Sequence, residues 1–508
     1  MLDFVDQILN RVTMYRLVLY YLLALLALGI VASAMGLLPF SPYALLFSAG
    51  ALTFFSFVAN DIFAKVFKAQ ANSESVYITA LILALIISPV MPTDLAGLGF
   101  LFWASIWAMA SKYIFAIGKK HIFNPAAFAV ALTAFTIGQS ASWWVGGNLP
   151  LLAFVAIGGL LIVRKIQRFD LVIAFFAVAV PMLIFTSPVF NPWATVMSII
   201  EHTPIFFFAF VMLTEPLTTP PTRALRIAYG AFVGAIYAPA ISVMGIHATP
   251  ELALLAGNIL SYALSPKSKR VFTLAEKAEV GAGIYDFRLA TDKPLSFRPG
   301  QYMEWTLAHE KSDGRGNRRY FTLASSPTES DVRLGVHFYE PSSSFKRALK
   351  TLTPGATLVG GQLAGDFTIP RDKKKKLVFI AGGIGVTPFR SMVKYLSDRH
   401  ERRDVILLYS NRTLDEIAYR DVFDEAERKI GLRAAYFVTD GDPAAALPPN
   451  TFRGRIDARF LGDAIPDFQE RMFYISGPRG MVVAFEKTLH ELGVPARNIK
   501  VDFFPGFA

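Results

Sequence analysis

The fold class predicted is a polytopic α-helical membrane domain of about ten transmembrane helices, followed by an antiparallel β-barrel and a terminal α/β domain. Three observations carry it. Of the 508 residues 53% are hydrophobic and only 18% charged, with a positive mean hydropathy, which excludes disorder and an ordinary soluble fold. The charges are unevenly placed: up to residue 270 there are 15 lysines and arginines and 9 acids, and beyond it 35 and 30. Apolar runs of helical length stop near residue 265, where short alternating strands take over. Lipid is therefore the expected solvent of the first half and water that of the second.

The apolar runs lie near 14–38, 43–64, 76–91, 95–117, 125–139, 149–163, 170–186, 198–213, 224–245 and 250–264. A bilayer takes roughly 20 residues per helix. Lysine and arginine collect at every second turn: Arg11 and Arg16, Lys65 and Lys68, Lys112 with Lys119 and Lys120, Arg164 with Lys165 and Arg168, Arg223 with Arg226, and Lys267 to Arg270. The turns around Pro39, Pro92, Trp143, Asn191 and His247 carry none. Because such residues stay on the cytoplasmic side, a cytoplasmic N-terminus is expected, and an even number of spans returns the second half to the cytoplasm. The first strongly apolar run follows a polar start and is one of many, so it reads as a span of a multi-pass inner-membrane protein and not as a cleaved signal.

Cysteine is absent, which excludes disulfides, thiolate nucleophiles and cysteine-held iron–sulfur clusters within the chain. The seven histidines are not paired across apolar helices as a haem relay requires, and no metal site is expected. The net charge of +11 divides into +6 and +5, and neither share forms a basic patch interleaved with aromatics, so nucleic acid is not an expected partner. Oligomeric state is not legible.

In the second half, strands alternate over 273–287 and 332–339 and suggest a barrel up to about Pro370. The expected domains are 1–265, 266–370 and 371–508. Leu377 to Ala381 reads as a buried parallel-type strand, and Gly382-Gly383-Ile384-Gly385-Val386-Thr387-Pro388 turns from it into a helix over 389–396. Glycines let a ligand approach the backbone, and the helix N-terminus then faces a diphosphate. A plain βα turn has the same spelling.

Order and company extend that reading. Pro299-Gly300-Gln301-Tyr302 leads to Arg319-Tyr320-Phe321-Thr322-Leu323-Ala324-Ser325, then the glycine turn, Tyr409-Ser410-Asn411-Arg412, Ser476-Gly477-Pro478-Arg479-Gly480-Met481 and a terminal segment from Asp502 to Phe507. Residues 270–508 thus resemble the ferredoxin–NADP reductase family. The resemblance implies a barrel that binds FAD and a Rossmann-like domain that binds NADH or NADPH. It implies Arg319 on the pyrophosphate, with Tyr320 beside it and Phe321, where the family usually has tyrosine, as the aromatic face for the isoalloxazine. Thr322 would reach the flavin N5 edge, Ser325 closes the element, and Ser343 and Ser344 offer N–H groups to the diphosphate ahead of a helix starting near Phe345. Gly382, Gly383, Gly385, Thr387 and Pro388 would line the nucleotide phosphates, while Gly477, Pro478 and Met481 shape the nicotinamide slot. Ser476 stands where many relatives carry cysteine. Phe507 either stacks over the flavin and moves aside for nicotinamide or is a core aromatic. Thr322, Ser476 and Phe507 are the candidate catalytic residues. Ser410 and Arg412 are placed to hold a 2′-phosphate, yet such an arginine also occurs in NADH-using relatives, so both coenzymes fit.

In the first half Ser75 to Pro89, Lys120 to Ala127, Leu213 to Thr218 and Arg226 to Gly234 follow one another in an order that resembles the NqrB/RnfD family of membrane flavoproteins, which serve in Rnf complexes and in the sodium-translocating NADH:quinone reductase. The likeness spans nearly all of 14–265. It implies a flavin in the membrane, FMN or riboflavin. The usual link is a phosphoester to the threonine of a Ser-Gly-Ala-Thr-like outer loop. Gln139 to Asn148 is too short for that loop and has no threonine. Ala194-Thr195-Val196-Met197 is similar to the end of such a motif but lacks its preceding Asp and Ser-Gly, so Thr195 is an attachment site or an interfacial turn, and a noncovalent flavin is expected. Asn124, Thr214, Glu215 and Asn258, at polar helix ends, are the residues expected to hold it, or else to act as caps and turns.

Together these features predict a membrane NAD(P)H oxidoreductase. Hydride would reach cytoplasmic FAD, and single electrons would continue to the membrane flavin and on to a quinone or an extracytoplasmic acceptor. Two alternatives are a redox-driven sodium or proton pump, suggested by Asp61, Glu201 and Glu215 near helix ends, and a membrane-anchored ferredoxin or flavodoxin reductase.

Overall fold

The structure, a computed structural model, describes residues 5, 9, 12–67, 73–117, 120–188, 191–243, 245–265, 269–309, 313, 317–440 and 446–502. The chain divides into two compact units, the first ending at Lys269 and the second beginning at Arg270.

The first unit is helical. Its helices are α1 (Met14–Ala34), α2 (Pro42–Val66), α3 (Ser73–Ile86), α4 (Leu95–Ile114), α5 (Pro125–Ile137), α6 (Leu149–Ile166), α7 (Phe169–Phe185) and α8 (Pro192–His202). They continue with α9 (Ile205–Phe207), which runs into a π-helical turn at Phe208–Met212, then α10 (Arg223–Ala235) and α11 (Pro250–Leu264). Two small hairpins, β1 (Ala116–Ile117) with β2 (Lys120–His121) and β3 (Ser242–Val243) with β4 (Ile246–His247), lead into α5 and α11. Each of these two helices opens on a capping side chain followed by proline: Asn124 with Pro125, and Thr249 with Pro250.

Every apolar run contains helix, but the expectation of ten spans is only partly met. Among the described residues α1, α2, α4 and α6 are long and apolar enough to cross a membrane. A fifth arises if α8 and the segment Ile205–Met212, bent by 67° at the break around Pro204, count as one. The reason is length: at 1.5 Å per residue the 13 residues of α5 or α10 rise about 20 Å, against about 30 Å of hydrocarbon.

Packing inside the unit follows small residues and a few ion pairs. Gly230 and Gly234, one turn apart on α10, lie against the α7 backbone at Leu171 and Phe175, where a Cβ would collide with the carbonyl oxygens. The Arg226–Asp170 pair at 2.6 Å, both side chains 11% exposed, fastens the same two helices. Lys112 on α4 donates to Thr79 Oγ1 on α3 at 2.9 Å.

The second unit starts with an antiparallel sheet of β5 (Arg270–Gly281), β6 (Ile284–Ala290), β7 (Tyr302–Thr306), β8 (Arg318–Thr322), β9 (Val332–His337) and β10 (Thr357–Ala364), in the order β8-β7-β10-β5-β6-β9. The run expected over 273–287 is two strands joined at Gly283, whose φ of +68° makes the turn. The edges approach each other: Ala324 N–H donates to the Arg333 carbonyl at 2.8 Å, so the sheet curls toward a barrel around Phe272, Phe287, Trp305 and Leu334. Helix α12 (Ser344–Thr351) closes one end with Phe345 and Leu349.

A parallel sheet follows, built from β11 (Leu377–Gly382), β12 (Val405–Asn411), β13 (Arg433–Val438), β14 (Thr451–Arg453), β15 (Met472–Ser476) and β16 (Ile499–Val501). Helices α13 (Thr387–Asp398), α14 (Arg420–Ile430), α15 (Ala458–Ala464) and α16 (Arg479–Glu491) alternate with the strands. Every residue of β11 is buried, as a strand covered on both faces must be. The order is β14-β13-β12-β11-β15-β16, so the chain leaves β11 first toward β12 and later returns to its other side at β15. That reversal opens a crevice at the carboxyl ends of β11 and β15, the place where open α/β sheets take ligands.

Candidate functional site

At the crevice two turns meet. After β11, Gly382 leads into a 3-10 turn at Gly383–Val386; after β15, Ser476 leads into Gly477 and Pro478. A Cβ on Gly385 would overlap the Ser476 carbonyl oxygen, and one on Gly382 would overlap Met481 Sδ. Gly385 must be glycine for the turns to touch, whereas the obstacle at Gly382 is the flexible Met481 side chain. Gly383 differs: its φ is +51°, a left-handed conformation that favours glycine, and the space a Cβ would enter holds no protein atom. Thr387 Oγ1 donates to the Ile384 carbonyl at 3.2 Å, and buried Pro388 begins α13. Gly382, Gly383, Gly385, Thr387, Pro388, Ser476, Gly477, Pro478 and Met481 thus lie in or beside the two adjoining turns. Ser476 is not turned into open space; its hydroxyl donates to Asp502 Oδ2 at 3.1 Å. Ser410 is level with Gly382 in the strand register, and Arg412 follows β12 with its side chain 67% exposed.

The barrel carries a second cluster. Alternation along β8 puts Arg319 and Phe321 on one face, and both meet Phe345: the guanidinium lies 5.3 Å from the ring centroid and the Phe321 ring 6.0 Å away. Arg319 is 3% exposed. Helix α12 begins beside it. There the Ser344 N–H donates to Asp313 Oδ2 at 2.7 Å, and Asp313 Oδ1 stands 3.9 Å from Arg319. An acid group already lies against a buried guanidinium and a helix N-terminus, so the donor set is one that takes an anion, and it fits a diphosphate. Thr322 is buried at the end of β8. The side chains of other expected residues are engaged locally. Tyr320 donates to Glu304 Oε2 at 2.9 Å, and Ser343 caps α12 by accepting from Lys346 N–H at 3.3 Å. The Ser344 hydroxyl accepts from Asp313 N–H at 2.9 Å, and Ser325 is fixed between the Arg333 N–H (3.1 Å) and the Ser391 hydroxyl (2.6 Å). Phe507 lies outside the described residues.

Sequence reasoning missed the joint between barrel and parallel sheet. Arg390 on α13 holds Glu329 with two hydrogen bonds of 2.8 and 3.0 Å and donates to the Ala324 carbonyl at 2.7 Å. Tyr419 donates to buried Asp286 at 2.9 Å; burial first, then the Asp286 charge, push its phenol well above the usual tyrosine range, so it stays a donor. Gly335 on β9 leaves the room: a Cβ there would stand 2.6 Å from Tyr419 Oη and 2.7 Å from Thr387 Cγ2. A lone glycine inside the strand Val332–His337 was the available signal.

In the first unit, three of the expected residues come together. Asn124 N–H donates to Asn258 Oδ1 at 2.8 Å, and Asn124 Nδ2 to Glu215 Oε2 at 3.0 Å. Thr218 donates to Glu215 at 3.1 Å, His121 Nε2 lies 3.6 Å from it, and Asn258 Nδ2 donates to Tyr229 Oη at 3.1 Å. Thr214 is not among them; its hydroxyl donates to the Phe210 carbonyl at 2.7 Å. Thr195 bonds to Ser187 and to the Asn191 carbonyl. Of the other acids, Asp61 pairs with Lys65 and is 62% exposed, and Glu201 lies 3.9 Å from His202. Glu251, not singled out in the sequence, is buried and accepts from Trp143 Nε1 at 3.0 Å.

Residues 379–487 match the model of the oxidoreductase NAD-binding domain. Similar curated proteins are the flavohemoprotein of Bacillus subtilis (strain 168), 27% identical over 244 residues, 47% of this chain and 60% of that one, and the flavohemoprotein of Oceanobacillus iheyensis, 26% identical over 249 residues, 46% and 59%. Oxidoreductase NAD-binding domain-containing protein 1 of Bos taurus is 29% identical over 231 residues, 42% and 72%. A similar solved structure is the flavohem-like FAD/NAD binding domain of nitric oxide dioxygenase from Vibrio cholerae O1 biovar El Tor, with a TM-score of 0.41 and 22% identity, covering 46% of this chain and 98% of that one. The chain spans about six-tenths of the length of the flavohemoproteins it matches. Its second unit thus contains a stretch that matches an oxidoreductase NAD-binding domain.

Proposed function

We propose that the protein is a membrane FAD-dependent NAD(P)H oxidoreductase that passes electrons from cytoplasmic NAD(P)H to a flavin in the helical unit and on to a quinone or an extracytoplasmic acceptor. The observation that carries the reading is the meeting of the Gly382–Gly385 and Ser476–Met481 turns at the switch point of a parallel sheet, within the stretch that matches the NAD-binding model. When bound, FAD supplies the conversion of a two-electron donor into single-electron transfers. The chain's own part is to bind and orient. Arg319 and the Ser344 N–H hold the diphosphate, Phe321 offers a stacking face, and Thr322 a hydroxyl at the ring edge. The two glycine turns seat the nicotinamide nucleotide, and the Arg390–Glu329 and Tyr419–Asp286 bonds fix that seat on the barrel.

For the helical unit the reading rests on its likeness to the NqrB/RnfD family and on the buried Asn124–Glu215–Asn258 network. A noncovalent FMN or riboflavin is the proposed occupant, with the cytoplasmic membrane as the location. Flavins released from the full-length protein by acid precipitation test this. Two species are expected in the supernatant, FAD and a second flavin. Asn124→Leu should keep the FAD and lose most of the second, with slower electron delivery to a membrane-confined acceptor. A single flavin in the wild type would leave a reductase merely anchored to the membrane, and a second flavin unaffected by Asn124→Leu would make Asn124 a helix cap and nothing more.

A further inference from the structure

We propose that the second unit docks on an anionic lipid surface through the lysine- and arginine-rich loops at the amino ends of β11 and β12. This rests on the reading of the first unit as a membrane domain, which keeps the second unit beside a bilayer. The two loops, 370–376 ahead of β11 and 399–404 ahead of β12, form one surface. The Leu377 N–H donates to the Asp404 carbonyl at 2.8 Å, and Arg403 donates to the carbonyls of Pro370 at 3.0 Å and Asp372 at 3.2 Å. Lys373 pairs with Glu401 across them at 2.9 Å.

The loops hold eight cations, Arg371, Lys373 to Lys376, Arg399, Arg402 and Arg403, against three acids, Asp372, Glu401 and Asp404. Side chains from elsewhere that pair with them are two cations, Arg433 and Arg471, and two acids, Asp467 and Glu470, so the surplus stays at five. Just before the second loop Lys394 and Asp398 pair at 2.5 Å and add no net charge. The chain beyond residue 270 has 35 lysines and arginines against 30 acids, so this one surface carries a surplus as large as that of the whole second unit. Arg371, Lys374, Lys375 and Arg402 are exposed and form no ion pair among the described residues.

The chemistry of the loops selects the partner. Four consecutive lysines are compact, strongly hydrated point charges that suit a diffuse sheet of phosphates, whereas a single phosphate is better gripped by the fork of an arginine. Neither loop holds Phe, Tyr or Trp to stack on bases, so the surface fits lipid headgroups and not RNA. The negative potential of a cytoplasmic leaflet attracts such a segment. Docking there also leaves the crevice free. The six residues of β11 rise about 17 Å from this surface to Gly382, so lipid at their amino ends leaves the glycine turns facing water.

The test uses the full-length, FAD-loaded protein in nanodiscs of phosphatidylcholine with and without phosphatidylglycerol. A pulse of acetylating reagent is read by mass spectrometry at Lys374 and Lys375. Both are expected to react at least about fivefold more slowly in the anionic discs and to recover in high salt. Lys487 on α16, 78% exposed, should react alike in both. Arg371→Glu combined with Arg402→Glu should erase the difference; neither side chain has an ion pair to lose, and unchanged FAD content and reduction by NAD(P)H report an intact unit. Equal rates in the two discs overturn the inference, and so does protection already complete in the neutral discs, which would mean that protein covers the loops. If the chain enters neither disc, it is the membrane reading itself that fails.

Discussion

Arg319→Ala should strip FAD from the second unit. The guanidinium is 3% exposed, packed on Phe345 and 3.9 Å from an acid that also takes the N–H of α12, so the variant removes the one buried cation at this seat among the described residues. Loss of a buried charged partner is commonly worth about 3 kcal/mol, roughly a hundredfold in affinity. Arg319→Lys should fall between, because an ammonium cannot reproduce the planar fork. Flavin released per mole of purified protein measures it. FAD content equal to the wild type would remove Arg319 from the site.

Gly385→Val should act on the other substrate alone. Its side chain would run into the backbone of Ser476 and Gly477, which cannot step aside as a flexible side chain can, so the two turns must separate. Misplacing bound groups by about 1 Å can cost on the order of a hundredfold in rate. FAD content should be unchanged while reduction of that FAD by NAD(P)H, followed by stopped-flow absorbance, falls by about that factor. Gly383→Ala meets no protein atom, so beyond the cost of the left-handed φ, about 1 kcal/mol, its effect should be a higher KM for NAD(P)H from the Cβ that faces the nucleotide. Equal rates in Gly385→Val and wild type would show that the turns need not touch.

Much of this is legible in the sequence because certain residues admit few alternatives. A glycine-punctuated turn between an all-apolar strand and a helix can be placed from sequence, and the structure begins α13 at Thr387, two residues before the expected start. Arg319 and Phe321 can be paired from strand alternation alone. Serines cannot be assigned in the same way: Ser325, Ser343 and Ser344 are short donors and acceptors that local backbone groups capture first. Thr214 departs from expectation for that reason, its hydroxyl turning back on the preceding helical turn. The apolar runs locate the helices but not their lengths, since α5 and α10 are cut short by caps and loops that hydropathy does not see. Contacts across long sequence separations, such as Asp313 on Ser344 or Tyr419 on Asp286, leave no pattern to read.

The Arg390–Glu329 clasp has a consequence for how the second unit comes apart. Burial alone would raise the Glu329 carboxyl, but the hydrogen bonds and charge of Arg390 outweigh it and hold the group below the usual carboxylate range. A depressed carboxylate contributes stability that is complete above its unfolded value and is lost as pH falls through the folded one. At neutral pH the barrel and the nucleotide sheet should therefore melt as one cooperative block, visible as a single calorimetric transition for the unit. Acidification, or Glu329→Gln at neutral pH, should split it into two. A single transition that survived both changes would mean that the two sheets are coupled through their apolar contact and that the clasp adds nothing to their shared unfolding.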